Sequence, residues 1–300
     1  MDVIEHTYAD GYRTHVLHVP ATNPIGNCFL FHGMLEHHGR YVEFADFMAT
    51  TGFNVFVCDL RGAGKSARAQ STYAHLLPKE GFDQMVEDAT ALIGHYQNDL
   101  PTFVVGHSFG SLLVRRLGQI MGHNLAGIVA ISPPPGSGFV GRLGLYAIGS
   151  AIRTKGSDYH SRLFERLLFG RYNLKFFPAK TENDWISSVP EEVASYRSDP
   201  DCGGIPTLGY LYEVASASLE VTSLARIHEH PKTLPILFVA GTDDPVVHDG
   251  EGLKGIVRNY QAAEVELTVL SYDNARHEVL RERQRDEVWT DISSWLLRNL

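Results

Sequence analysis

The run Gly106-His107-Ser108-Phe109-Gly110 constrains this chain more than any other stretch, because it reads G-x-S-x-G between two different backbone periodicities. Before it, Thr102-Phe103-Val104-Val105 is the β-branched and aromatic run of a buried strand; after it, Ser111 to Gly118 carries apolar residues at helical spacing. A chain that passes from strand to helix this quickly must bend sharply, and the flanking glycines leave room that side chains would obstruct. A serine at such a bend has its hydroxyl pushed out at the top of a sheet. The pentapeptide alone also occurs in ordinary loops, so its flanks are what make Ser108 a candidate nucleophile.

The same alternation runs through much of the chain. Residues 1–20 alternate around the turn signal Ala9-Asp10-Gly11 and predict an opening β-hairpin. Asn27 to Phe31 reads as an apolar strand, a helical pattern follows through Tyr41, Phe44, Phe47 and Met48, and Asn54 to Cys58 is the next strand. A helix near residues 82–98, the elbow at Ser108 and a strand over Leu125 to Ile131 continue the rhythm of a doubly wound, mostly parallel sheet. It then stops. From Pro133-Pro134-Pro135-Gly136 to about Arg226 helical fragments alternate with turns, and strands resume only at Pro235 to Ala240 and Val265 to Leu270, before a last amphipathic helix near 284–299. The expected organisation is one sheet domain, 1–135 and 227–300, with a helical cap, 136–226, inserted after the sixth strand.

Bulk properties narrow the classes of function. A formal charge of −9, with 26 Lys+Arg against 35 Asp+Glu and no basic run, argues against a nucleic-acid partner. The three cysteines, Cys28, Cys58 and Cys202, are dispersed and lack C-x-x-C spacing, so neither a disulfide framework nor a zinc site is expected. Cys28 and Cys58 lie in strand patterns and read as small core residues. The first residues lack the basic and apolar regions of a secretory signal, and no apolar run approaches the ~20 residues that span a bilayer. The expectation is a cytoplasmic protein with no cofactor and no metal.

A serine hydroxyl is a weak nucleophile until a base takes its proton. Fifteen histidines compete for that role. Useful positions in an open α/β sheet lie just past the carboxyl ends of strands, and His277, beyond the strand ending near Leu270, qualifies. The base in turn needs a carboxylate to fix its tautomer and stabilise the imidazolium. Asp243 and Asp244 both follow the strand at 236–240. Asp244 is preferred because a residue before proline is held extended, leaving Asp243 to cap the loop. For the oxyanion, Phe109 supplies one backbone N–H, and the loop after Phe31 supplies a second through Met34.

Other patterns point nowhere. Gly62-Ala63-Gly64-Lys65-Ser66 echoes a phosphate loop, but Asp59 stands where that motif requires glycine. His32, His37 and His38 cluster without metal-ligand spacing. The apolar run Gly138 to Ile148 is too short to cross a membrane; it is read first as a buried cap helix, and second as a surface that touches lipid transiently.

These residues together resemble the α/β-hydrolases, and more narrowly the monoacylglycerol lipase and lysophospholipase (serine aminopeptidase-like) branch. Phe31 to Tyr41 is similar to its H-G-x-x-E-H-x-x-R-Y signature, and Asp59 to Ser66 to its D-x-R-G-H-G-x-S loop, with Ala63 where histidine is usual. Gly106 to Gly110 resembles G-H-S-x-G, Gly241 to Val246 the G-x-x-D-x-V acid loop, and Arg276-His277-Glu278 the R-H-E around the catalytic histidine. The likeness covers roughly residues 25–135 and 235–300. Tyr196 to Pro200 only faintly resembles the D-P-L element of the cap, and Cys202 with its following glycines departs from it.

The resemblance places the acid at Asp244 and implies the chain order Ser108, Asp244, His277. It implies hydrolysis of single-chain lipid esters such as monoacylglycerols or lysophospholipids, whereas spacing alone implies only a serine hydrolase. An apolar acyl channel lined by Phe139, Leu143, Leu145, Phe164, Leu167, Leu168 and Phe169 is expected in the cap. A peptidase or amidase on the same fold is the alternative, with Glu191, Glu192 or Glu213 as anchor for a substrate amine; a non-catalytic binding protein is a third reading.

Overall fold

The computed structural model describes residues 1–136, 138–247 and 251–300. The chain opens with the expected hairpin, β1 (Asp2–Thr7) and β2 (Arg13–Val19), closed by Gly11 at φ 85°. There follow β3 (Gly26–Phe31), α1 (Val42–Thr50), β4 (Phe53–Cys58), α2 (Gly64–Ala69), α3 (Gly81–Tyr96), β5 (Thr102–His107), α4 (Phe109–Met121) and β6 (Gly127–Ile131). The stretch without strands holds α5 (Gly138–Lys155), α6 (Arg162–Phe169), α7 (Pro190–Ser198), α8 (Leu208–Val221) and α9 (Leu224–Ile227). Then come β7 (Ile236–Gly241), α10 (Glu251–Ala262), β8 (Leu267–Tyr272) and α11 (Arg285–Arg298).

The eight strands form one sheet in the order β1-β2-β4-β3-β5-β6-β7-β8. Only the β1–β2 and β2–β4 pairs are antiparallel; β4 through β8 run parallel. Every residue of β3, β5, β6 and β7 is buried, which explains why these strands read as continuous apolar runs rather than alternating ones. Successive side chains still divide between the faces. Phe29 and Phe31 pack with Leu112, Leu113 and Met85 on one side, while Cys28 and Leu30 pack with Phe44, Met48 and Trp295 on the other. β8, at the edge, is exposed or half-buried except at Tyr272.

The helices between β6 and β7 attach to the sheet layer chiefly through α8. Tyr210, Ala217 and Val221 of α8 enter the core beneath, and Leu208 and Leu211 meet Ile148 of α5 above. Glu213 of α8 accepts from the Lys79 and Phe82 amides at 2.6 and 2.8 Å, placing a carboxylate at the N-terminal end of α3 where the helix dipole favours it.

One expectation changes here. The run 138–148 is not a buried helix: Ile148 is the one buried residue of α5, while Phe139, Val140, Leu143 and Tyr146 are exposed. Leu163, Leu167, Leu174 and Phe177 are exposed as well. Among the described residues no helix is long and apolar enough to cross a membrane. Cys28 and Cys58 are buried as expected, and all three thiols are free.

Candidate active site

The elbow is made by close backbone approach. Ser108 sits at φ 50°, ψ −112°, in a region that L-residues rarely occupy and that persists only when the surroundings enforce it. The surroundings are the two glycines. A Cβ on Gly106 would lie 2.2 Å from the Gly110 carbonyl oxygen, and one on Gly110 would lie 2.2 Å from that of Phe31. The Ser108 amide donates to the Ile131 carbonyl of β6 at 2.9 Å, and the Ser108 carbonyl accepts from Ser111.

β5, β7 and β8 all point their carboxyl ends to the same edge, so their following loops converge there. His277 Nε2 lies 2.9 Å from Ser108 Oγ, and Nδ1 lies 2.9 and 3.1 Å from the two Asp244 oxygens. Asp244 is fully buried and also accepts from the Val246 amide at 2.8 Å. The carboxylate requires the hydrogen on Nδ1, which leaves the Nε2 lone pair for the serine proton. The loops are locked to one another: a Cβ on Gly241 would meet the Ala275 oxygen at 2.1 Å, and the Asp243 amide donates to that oxygen at 2.9 Å. Among the described residues the Asp243 side chain makes no hydrogen bond within its own loop. It accepts from Lys175, in the helical stretch between β6 and β7, at 3.1 Å.

Beneath the histidine lies a buried ionic layer whose role no sequence pattern signalled. Glu36 Oε1 accepts from the Gly33 amide at 2.5 Å, from the Tyr41 hydroxyl at 2.8 Å and from His107 Nδ1 at 3.0 Å. Its other oxygen lies 3.3 Å from Arg40, which also pairs with Glu278. His107 Nε2 faces the His277 carbonyl at 3.3 Å, and Ser132 Oγ donates to the same carbonyl at 2.6 Å. Burial opposes ionisation of both Glu36 and His107. Their mutual attraction wins, holding the Glu36 carboxyl well below the usual carboxylate range and raising the His107 imidazole. Two carboxyl groups, one guanidinium and one imidazole thus share one interior, and burial raises the Glu278 carboxyl. Glu36 also fixes the loop carrying Met34, while Phe109, first residue of α4, has an amide with no carbonyl acceptor inside that helix.

On the open side, Trp185 lies 5.1 Å from the His277 ring, Tyr172 5.1 Å from Trp185, and Phe169 stacks on Trp185 at 6.4 Å. Trp185 sits in a polar stretch without periodicity, so nothing in the sequence signalled it. Of the expected channel residues, Phe164, Leu168 and Phe169 pack near Met34 against Ile148, Leu208 and Leu211. Leu145 is half-buried, and Phe139, Leu143 and Leu167 face outward. Two of the candidate amine anchors are engaged elsewhere: Glu213 caps α3, and Glu192 pairs with Arg281. His37, Asp199 and Cys202 bring ligand-type atoms within 4.8 Å of one another. His37 Nδ1, however, accepts the Gly39 amide, which puts its hydrogen on Nε2, pointed at Asp199.

A parallel sheet with this elbow, and serine, histidine and aspartate following β5, β8 and β7, defines an α/β-hydrolase. The family described as Hydrolase_4 (serine aminopeptidase, S33) matches residues 22–284, and the chain belongs to it. It is similar to a monoacylglycerol lipase of Mycolicibacterium smegmatis, 27% identical over 99% of this chain and 98% of that protein. A human monoglyceride lipase is 25% identical over 92% of this chain and 84% of its own. Among solved structures, a thermostable carboxyl esterase from Bacillus coagulans superposes with a TM-score of 0.90 at 26% identity, covering 99% of this chain and 98% of the other. Ester hydrolase is the enzyme class of this chain.

Proposed function

We propose that the chain hydrolyses single-chain lipid esters, of the monoacylglycerol or lysophospholipid kind, through a Ser108–His277–Asp244 triad. Ser108 Oγ attacks the acyl carbon while its proton passes to His277 Nε2. The tetrahedral oxyanion is held by the Met34 and Phe109 amides. Collapse breaks the bond to the alcohol, which leaves with the proton from His277, and water then releases the acid by the same steps in reverse roles. The single observation that carries this reading is the continuous chain of contacts at 2.9 Å, from Ser108 Oγ to His277 Nε2 and from Nδ1 to Asp244.

Residues 136–226 act in this reading as the cap that shapes the pocket, over a core of 1–135 and 227–300. Phe164, Leu168 and Phe169, with Trp185, line its acyl side, and the outward face of α5 and α6 touches the lipid phase. The engagement of Glu192 and Glu213 in other contacts favours ester over amide substrates.

Ser108→Ala is expected to lower kcat on a decanoyl ester by at least about 10⁴-fold and to abolish fluorophosphonate labelling of the folded protein; Asp244→Asn should cost about 10⁴. Full activity in Ser108→Ala would end the proposal. Faster turnover of aminoacyl amides than of p-nitrophenyl esters would replace it with the peptidase reading.

A further inference from the structure

A cavity of about 340 Å³, at the low end of ligand-pocket volumes, opens between the end of α5 and the start of α6, and no member of the triad lines it. Lys155, His160 and Arg162 contribute to its polar side; Phe164, Ile205 and Leu208 contribute to its apolar side. Its rim is fixed. His160 Nδ1 donates to the Ile205 carbonyl at 2.5 Å, and His160 bridges Thr207 in the manner of a strand pair.

The charges around it are only partly balanced from within, Glu165 of α6 being the carboxylate that Arg162 feels. Among the described residues neither Lys155 nor Arg162 has a carboxylate within ion-pair distance, and Lys155 lies instead over the Tyr159 ring at 4.6 Å. From Gly138 to Lys175 the chain carries seven Lys and Arg against two acids, Asp158 and Glu165, although the whole protein has a formal charge of −9. The first turn of α6, capped by Ser161, adds the positive end of a helix dipole to the same place.

We propose that this cavity binds the carboxylate of a single-chain fatty acid, with Lys155 and Arg162 pairing the head and the first part of the chain lying on Phe164, Ile205 and Leu208. A small inorganic anion would leave that apolar side uncovered, and a neutral alcohol would bring the two cations no carboxylate at ion-pair distance. That the ligand is the enzyme's own acyl product rests on the function proposed above; binding itself rests only on the cavity. Phe164 gives occupancy a route to the chemistry. It lines the cavity and belongs to the same packed cluster as Met34, the residue beside the proposed oxyanion position.

The test is equilibrium binding of decanoate to protein whose Ser108 carries a long-chain phosphonate that fills the catalytic cleft, with backbone hydrogen exchange to locate the ligand. Expected is one equivalent bound, with protection over residues 151–164. Affinity should fall at least about tenfold in the K155E/R162E double variant and for decanol in place of decanoate, as loss of charge-assisted contacts implies. Lys155→Gln should show a smaller loss in the same direction if the double variant fails to fold. Equal decanoate affinity in wild type and variants, equal affinity for decanol, or displacement by equimolar inorganic phosphate would overturn the proposal. Failure of Ser108 to label is a separate result that counts against the triad; the same titration on unlabelled protein then still decides the cavity.

Discussion

Ser108 keeps a strained backbone because two carbonyl oxygens stand where Cβ atoms at positions 106 and 110 would be. The strain is maintained by backbone, which cannot swing aside as a flexible side chain could. Gly110→Ala is therefore expected to destabilise the fold by about 3 kcal/mol or more, read as a fall in Tm, with loss of phosphonate labelling in whatever protein remains folded. Unchanged Tm and labelling would show that β3 can retreat from the elbow. At this scale the sequence was informative where chemistry needs a particular side chain beside a particular turn. Ser108 and His277 were chosen from loop position, Asp244 from its place before proline and from the resemblance, and the three side chains stand in hydrogen-bond contact. The described partner of Asp243, Lys175, arrives from a distant segment that no local pattern reveals.

Among elements, the end of β5, the loop after β3 and the turn after β8 are joined by the Glu36–His107 pair. The raised His107 supports folding below the ordinary histidine value near 6.5, and that support is lost as pH climbs through the raised value. The lowered Glu36 supports folding above the ordinary carboxylate range and fails as pH falls through its depressed value. Stability and kcat/KM should accordingly share a falling alkaline limb. His107→Gln, which can still donate to the His277 carbonyl, should flatten the limb in stability while lowering its plateau. Chemical denaturation from neutral to alkaline pH measures this, and an unaltered limb would remove His107 from the account. The motif holding Glu36, Arg40 and Tyr41 was visible in the sequence. Its function as a buried layer was not, because burial of ionised groups depends on which elements the topology stacks together.

For the whole molecule, the continuous apolar strands and the short links between them made the sheet legible, and the opening hairpin was readable from its turn. The outward face of α5 was not, since an apolar run looks the same whether it is buried or presented to lipid. Exposure of Phe139 and Val140 rules out the buried arrangement. Phe139→Ser with Val140→Ser is expected to reduce activity on vesicle-borne ester by about tenfold while leaving a dissolved short-chain ester within about twofold, the loss following from apolar area withdrawn from the lipid phase. Equal effects on both substrates would mean that the face serves the pocket instead. Neighbouring strands β6 and β7 are hydrogen-bonded along their length although residues 132–235 intervene. Closure entropy rises only with the logarithm of loop length, so halving or doubling that intervening segment would change it by about 0.6 kcal/mol. A segment placed at this junction is thermodynamically inexpensive to lengthen, shorten or exchange, and the sheet on either side need not change when it is.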